Sequence, residues 1–202
     1  DKAAVAALLA ACKALVEAEI RPPVDLYPMF TVTEEVGFGA SAILHPQIGE
    51  MVGLDIAINA PGQNTSERAV TIAIQDSSGP FDYHLTRQLL HICAENGVRH
   101  QRDVFPYYFS DSAAALRAGH DIRHALLGFG ADASHGYERT HMDALVAMAE
   151  LVTLYSQASP AVARDRARLG SIEGFPHQVD FDELGDHQER LPDPRDFLDP
   201  AD

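Results

Sequence analysis

The feature that most constrains the fold of this chain is an alternation of short apolar, strand-like segments with longer segments of helical periodicity. Such alternation is typical of layered α/β domains, because each helix buries its apolar stripe against a face of the sheet. We therefore predict a three-layer αβα sandwich with a mostly parallel or mixed sheet. Helices are predicted at residues 3–19, 83–95, 110–118 and 143–157, and extended segments at 24–33, 51–58, 69–75, 98–108 and 122–129.

The end of the chain departs from this alternation. Residues 165–202 are acidic, contain several prolines and lack clusters of aliphatic residues. Segments of this composition bury too little apolar surface to offset the entropy of ordering them. We expect a domain over residues 1–158 and a flexible or peripherally docked acidic tail over residues 159–202.

Composition excludes several classes of function. With 15 Lys and Arg against 30 Asp and Glu, the net charge of -15 disfavours binding to nucleic acid, which requires clustered basic residues. The two cysteines, Cys12 and Cys93, lie in helical segments and indicate neither a disulfide framework nor a thiolate zinc site. No apolar run approaches the roughly 20 residues that span a bilayer. We expect a cytoplasmic protein without a nucleic-acid or membrane partner.

Two adjacent acids, Glu34 and Glu35, end an apolar run and precede a turn containing Gly37 and Gly39. Neighbouring side chains on a strand point to opposite faces, so both acids reach one pocket only where the strand ends and the backbone bends. One carboxylate could then bind a metal ion while the other accepts a proton from water. The alternative is a solvated pair at a strand end, which is the common environment of Glu.

A third acid, Asp55, lies in the middle of an apolar strand and has no neighbouring cation in the sequence. Burying an unpaired carboxylate is costly, and coordination of a metal would remove that cost. Hydrogen bonds from nearby backbone amides are the alternative.

Histidines near the last predicted helix provide further candidates. His141 lies at the start of that helix, and His135 precedes it by six residues. Each is a candidate metal ligand, with a surface or hydrogen-bonded role as the alternative. Arg123 and Arg139 are the basic residues that could meet an acidic or amide side chain of a substrate, although a surface salt bridge is the favoured role of each.

Other catalytic mechanisms find little support in the sequence. A nucleophilic hydrolase of the Gly-x-Ser-x-Gly type is disfavoured because that motif is absent. A dinucleotide-binding fold is disfavoured because Gly37-Phe38-Gly39 is not completed to Gly-x-Gly-x-x-Gly.

Several strings, taken in order, resemble the dinuclear-zinc tetrahedral aminopeptidases, also called glutamyl-aminopeptidase-like enzymes. The resemblance covers about residues 1–157, and residues 60–84 and 129–141 further resemble a branch found in gene clusters for an N-acetylglutaminylglutamine-amide osmoprotectant. The strings are Asp1-Lys2-Ala3, Glu34-Glu35-Val36-Gly37, Leu54-Asp55-Ile56, Ser110-Asp111-Ser112-Ala113 and Tyr137 with His141.

The resemblance implies a role for each matched position. Glu34 would be the general base, Glu35 and Asp55 would bind metal, and His141 would complete the ligand set. The implied cofactors are two divalent ions, zinc first, with cobalt or manganese as alternatives. The implied activity is removal of N-terminal residues from short peptides, and the osmoprotectant branch suggests turnover of a glutamine-derived dipeptide. Members of the family assemble into homo-oligomers.

The chain also departs from the family pattern. No histidine precedes Asp1, although the family has an upstream His ligand, and Asp1 is either the bridging Asp of the family or its neighbour. The family's assembly domain has no counterpart here. We therefore expect the chain to be the C-terminal part of a metallo-aminopeptidase, incomplete at its N-terminus. The alternative is a catalytically inactive, peptidase-like binding or assembly module.

Overall fold

A computed structural model of the chain describes residues 1–160. The α-helices are α1 (Lys2–Glu17), α2 (Tyr83–Asn96), α3 (Asp111–Arg117) and α4 (Met142–Tyr155). The strands are β1 (Glu50–Ile58), β2 (Val70–Asp76), β3 (Gly79–Pro80), β4 (His100–Phe105) and β5 (Arg123–Ala131). Two short 3₁₀ turns, Glu34–Val36 and Gly39–Ser41, precede β1.

The five strands form one mixed sheet. Strand β5 lies between β1, to which it is parallel, and β2, to which it is antiparallel. Strand β2 also pairs in parallel with β4 and, at its C-terminal end, with the short antiparallel β3. Because β5 has neighbours on both sides, almost all of its residues are buried, whereas β1 is partly exposed. The predicted mixed sheet is confirmed.

Helices cover both faces of this sheet. Helices α1, α2 and α4 share the main core with alternate residues of β5, such as Ala125, Leu127 and Phe129. On the opposite face, Met51 of β1 packs with Ala115 of α3 and Ala40 of the Gly39–Ser41 turn. Period-two alternation of side chains along β1 places Asp55 on the same face as Met51. The predicted three-layer arrangement is confirmed, and Asp55 lies on the α3 face.

Local sequence explains where the helices begin and end. The side chain of Asp1 accepts a hydrogen bond from the Ala4 amide, and that of Asp82 accepts one from the Leu85 amide. These are N-cap contacts that satisfy amides left free at the first turn of a helix. Helix α2 ends at Gly97, which adopts the left-handed conformation with a φ of 69°. None of the helices in residues 1–160 is long and apolar enough to cross a membrane.

One predicted strand is wrong. Residues 24–33 form no strand and pair with no part of the sheet, and their apolar side chains are largely exposed, with Val32 95% accessible. Pro28 interrupts the segment and cannot donate a hydrogen bond to a neighbouring strand, and none of the strands in residues 1–160 pairs with it. The Glu34–Glu35 pair therefore follows an irregular segment rather than a strand end.

The predicted tail falls almost wholly outside the described residues. Its first two residues, Ser159 and Pro160, belong to no helix or strand, and the Ser159 carbonyl accepts a hydrogen bond from Nε2 of Gln88 at 2.7 Å. The expectation of a flexible or peripherally docked tail stays a prediction.

Candidate active site

The two adjacent glutamates are presented by the Glu34–Val36 turn. The Thr33 carbonyl accepts hydrogen bonds from the amides of Val36 and Phe38, at 3.3 and 3.1 Å, and the Gly37 amide donates to the Glu34 carbonyl at 2.7 Å. Gly37 has a φ of 81°, a left-handed conformation that glycine adopts without a steric penalty. The bend that we expected from the glycines is present, although it begins in a 3₁₀ turn.

Glu34, Glu35 and Asp55 line one cavity of about 990 Å³ between the sheet and the segment 24–33. Ser110 and Asp111, at the start of α3, line the same cavity. Fold and loop thus bring together three of the four site residues expected from the sequence.

Asp55 is the most strongly perturbed acid of this group. Its Oδ1 accepts a hydrogen bond from the amide of its own neighbour Ile56 at 2.7 Å. The pKa of Asp55 is raised to about 7, mainly by burial and to a smaller extent by the negative charges of Glu34 and Glu35, which together outweigh the hydrogen bond from Ile56. A cation that enters the cavity would stabilise the ionised form of a carboxylate in this position.

Glu34 shows the same effect in weaker form. Burial is the largest cause that raises the pKa of Glu34, followed by the charges of Glu35 and Asp111. A general base must hold a proton transiently near neutral pH, and a raised carboxyl pKa suits that task. The environment of Glu34 is therefore compatible with the role expected for it.

Glu35 contacts a histidine. Its Oε2 lies 3.5 Å from Nε2 of His135. His135 adopts a φ of 62°, and its amide donates to Oε1 of Glu138 at 3.0 Å. His135, the competing histidine of the sequence analysis, is thus the one that approaches the glutamate pair.

His141 occupies a different environment. It is the N-cap of α4, where its Nδ1 accepts a hydrogen bond from the Asp143 amide at 3.1 Å. The same nitrogen lies 3.4 Å from Oδ1 of Asp143, whose other oxygen pairs with Arg99 at 2.9 Å and Arg68 at 3.4 Å. The hydrogen bond from Arg99 is the first cause that lowers the pKa of Asp143. His141 is absent from the residues that line the cavity.

The ligand set expected from the sequence is therefore assembled only in part. Within residues 1–160 no group of three or more His, Cys, Asp or Glu side chains is placed to hold a metal ion. Glu35 and Asp55 share the cavity, and His141 remains paired with Asp143. The carboxylate chemistry suits a divalent cation, but a complete site requires ligands beyond those that these residues bring together.

The two candidate arginines have different surroundings. Arg123 lines the cavity, and its Nη1 donates to Oδ2 of Asp82 at 2.9 Å. Arg139 is exposed and pairs with Asp132 at 2.6 Å. Both form salt bridges, as the alternative interpretation stated, but only Arg123 is available to a molecule within this cavity.

Sequence reasoning missed the contribution of Asp111. It entered the sequence analysis only as part of the string Ser110-Asp111-Ser112-Ala113, without a role of its own. In the structure its carboxylate reaches the backbone of the loop that carries the glutamates. A Ser-Asp pair at the start of a helix is a typical capping signal, so the sequence pattern did not indicate that Asp111 contacts a distant loop.

Comparisons with known proteins identify the family of the chain. The sequence model described as M42 glutamyl aminopeptidase matches residues 1–151. The putative aminopeptidase YhfE of Bacillus subtilis is 38% identical over 162 residues, which is 80% of this chain and 46% of that protein. The chain belongs to the M42 glutamyl aminopeptidase family and spans about half the length of this curated relative.

Solved structures share the fold at low sequence identity. An aminopeptidase from Desulfurococcus kamchatkensis is 20% identical with a TM-score of 0.68, over 78% of this chain and 46% of that one. The TET1 peptidase of Pyrococcus horikoshii is 22% identical with a TM-score of 0.63, over 77% of this chain and 47% of that one. A TET aminopeptidase from a marine sediment Thaumarchaeota archaeon is 18% identical with a TM-score of 0.66, over 78% and 47%. These likenesses support the fold that the sheet and helices define.

Proposed function

We propose that this chain provides the catalytic base and part of the metal-binding centre of an aminopeptidase that removes N-terminal residues from short peptides. The observation that carries the proposal is the convergence of Glu34, Glu35 and Asp55 on one cavity in a member of the M42 family. Burial and mutual repulsion raise the pKa of Glu34 and of Asp55, which is the electrostatic condition under which a cation binds favourably.

Each residue has a separate task in this proposal. Glu34 accepts the proton of the attacking water and delivers it to the leaving amine. Glu35 and Asp55 supply carboxylate ligands, and His141 supplies an imidazole ligand once it leaves Asp143. When bound, two divalent ions, zinc or alternatively cobalt or manganese, polarise the scissile carbonyl and lower the pKa of water.

The wider setting follows from the relatives. The TET1 peptidase of Pyrococcus horikoshii assembles into a tetrahedron or a large octahedral shell, according to its description. We propose that the native protein is likewise a cytoplasmic homo-oligomer. Its substrate would be a short peptide, with a glutamine-derived osmoprotectant dipeptide as the first to test.

The Glu34→Gln variant tests the proposal in the native protein as expressed from its own gene. We expect kcat on leucine- or glutamate-anilide substrates to fall by about 10²- to 10⁴-fold, because the amide cannot accept the proton. Metal content measured by elemental analysis should stay unchanged. Glu95→Gln, which removes the same charge from an exposed position on α2, should behave as wild type. Full activity of Glu34→Gln would exclude Glu34 as the base.

A second candidate function is an inactive peptidase-like module that binds or assembles without cleavage. The observation that favours it is that residues 1–160 place no group of three or more His, Cys, Asp or Glu side chains to hold a metal ion. Zinc stoichiometry decides between the two. Two tightly held ions with anilide turnover support the enzyme, whereas absence of both supports the module.

A further inference from the structure

Helix α3 and the Gly39–Ser41 turn contact each other across a wide gap in the sequence. Oδ1 of Asp111, the first residue of α3, accepts a hydrogen bond from the Ala40 amide at 2.8 Å. Just beyond the other end of α3, Nε2 of His120 lies 3.2 Å from the Ser41 carbonyl oxygen. The turn is thus held from both ends of one helix.

Gly39 makes the close approach of Asp111 possible. A Cβ atom at position 39 would lie 2.5 Å from Oδ1 and 2.6 Å from Oδ2 of Asp111, far inside van der Waals contact. Any larger residue would displace the carboxylate. The hydrogen bond and the close packing therefore depend on the same pair of residues.

The residue before Asp111 is anchored independently. The Ser110 amide donates to Oδ2 of Asp76 at 3.2 Å, and Asp76 is fully buried at the end of β2. The Ser110 and Ser112 hydroxyls lie 2.8 Å apart, and the Ser112 hydroxyl lies 3.3 Å from Nδ1 of His124. The start of α3, which carries Asp111, is therefore fixed to the sheet.

Beyond the packing of Ala40 in the core and the contact of Glu35 with His135, the loop that carries the glutamates has few other supports among the described residues. Hydrogen bonds among residues 33–41 are local turn contacts, such as those to the Thr33 and Phe38 carbonyls. Among the described residues, the backbone of this segment is joined to distant parts of the chain through Ala40 and Ser41. Ala40 is five residues from Glu35, so a change at this anchor alters where the carboxylates stand in the cavity.

We propose that Asp111 is a positioning residue whose carboxylate fixes the Gly39–Ser41 turn and thereby holds Glu34 and Glu35 at the cavity. The conformational part of this inference concerns the chain itself, and its catalytic consequence rests on the proposed function. Asp111 is assigned no contact with a reacting atom, and it positions the glutamates through the backbone of the loop. Its charge also acts on Glu34, but Asp111→Ala and Asp111→Asn both remove that charge, so the comparison between them isolates the hydrogen bond.

The first test measures amide exchange of residues 34–41 in wild type, Asp111→Ala and Asp111→Asn. We expect Asp111→Ala to accelerate exchange at Ala40 and its neighbours by about tenfold or more, because a hydrogen bond to a charged acceptor is lost. Asp111→Asn retains an oxygen acceptor and should stay within about threefold of wild type. Glu95→Gln is the charge control. Unchanged exchange in Asp111→Ala, or equal loss in Asp111→Asn, would overturn the proposal.

Gly39→Ala provides a second route to the same contact if Asp111→Ala fails to fold. It should accelerate exchange at Ala40 as Asp111→Ala does, and combining the two changes should add little, because both remove one interaction. Fully additive effects would show that Gly39 and Asp111 act separately and would contradict the proposal.

Kinetics separate this inference from the proposed function. In the active native protein, Asp111→Ala should lower kcat by about tenfold with a smaller change in KM, and Asp111→Asn should restore most of kcat. A wild-type protein without any turnover would reject the proposed function, while the exchange result would still decide the role of Asp111. Accelerated exchange with unaltered kcat in an active enzyme would overturn the positioning role.

Discussion

Two aspartates on strands, Asp55 on β1 and Asp103 on β4, share one local hydrogen bond but differ in the surroundings of the rest of the carboxylate. In each, Oδ1 accepts a hydrogen bond from the amide of the next residue, at 2.7 Å in Asp55 and 2.9 Å in Asp103. Oδ2 of Asp103 also accepts bonds from the Asn64 amide and from the amide and hydroxyl of Thr65, at 2.7, 3.0 and 3.0 Å. The side chain of Asp55 instead lines the cavity.

The difference shows how to separate a structural carboxylate from a functional one. Asp103 is 7% exposed, and donors from the neighbouring loop and from its own strand satisfy both of its carboxylate oxygens. Asp55 faces Glu34 and Glu35, and burial raises its pKa to about 7, so its charge is a cost to the folded state. A residue whose ionised form costs stability in the folded protein is a candidate for binding a partner of opposite charge.

The largest expected effect on stability is that of Asp103→Ala. The buried amide and hydroxyl of Thr65 and the partly buried amide of Asn64 would lose their acceptor, which should lower the free energy of unfolding by about 4 kcal/mol. Urea unfolding followed by circular dichroism measures this change. Asp55→Ala is the matched variant, and a loss of similar size there would remove the contrast between the two residues.

The next effect concerns the pH dependence of stability in metal-free protein. In the unfolded chain Asp55 ionises near 3.8, whereas in the folded protein it keeps its proton up to about 7. The folded state binds more protons between these values, so stability falls as pH rises from about 4 to 7 and then levels off.

Asp55→Asn should remove this part of the pH dependence. A shift of this size corresponds to at most about 4 kcal/mol, and partial exposure to the cavity reduces the expected gain at pH 8 to about 2 kcal/mol. Chemical unfolding in the presence of a chelator at pH 4.5 and pH 8 measures it. A variant less stable than wild type at pH 8 would refute the assignment of Asp55 as a strained carboxylate.

Binding of a divalent ion should offset the destabilisation that the ionised Asp55 carboxylate causes in wild type. If zinc binds the folded state through Asp55, a concentration ten times the dissociation constant stabilises the protein by about 1.4 kcal/mol. The midpoint of thermal unfolding should rise with zinc in wild type and rise less in Asp55→Asn. Asp103→Asn is the control, and an equal response of Asp55→Asn and wild type would place the ion elsewhere.

The smallest effect is expected at His124, behind the site. Burial lowers the pKa of His124, while the charges of Asp76 and Asp82 act in the opposite direction. In the unfolded chain His124 takes up a proton near pH 6.5, whereas in the folded protein it stays neutral to lower pH. The contribution of His124 to stability is therefore lost as pH falls below about 6.5. Because the contributions of Asp55 and His124 have opposite slopes in this range, His124→Gln is best compared in the Asp55→Asn background, where it should reduce the loss of stability between pH 7 and 5. A larger loss in the double variant than in Asp55→Asn alone would contradict this sign.

Local patterns predicted most of the fold. Helices α1, α2 and α4 and strands β1, β2 and β5 lie within a few residues of their predicted bounds, since their apolar periodicity matches the faces they bury. The segment 24–33 failed because an alternating pattern forms a strand only where another strand supplies hydrogen bonds. None of the described strands pairs with that segment.

The candidate site was likewise predictable only in part from the sequence. Glu34 and Asp55 could be selected from the sequence because acids at a glycine-rich bend and within an apolar strand are unusual in themselves. That Asp103 would be satisfied by Thr65, that His135 rather than His141 would approach Glu35, and that Asp111 would reach Ala40 all depend on contacts between residues distant in the chain.

The sequence by itself determined the alternation of helices and strands, the glycine-dependent bend after Glu35, and membership of the M42 family. These follow from periodicity, backbone conformational preference and local order, which act over a few residues. Only the tertiary structure decided which carboxylates are satisfied and which face the cavity. The free energy of a buried charge depends on the donors and charges that the whole fold places around it.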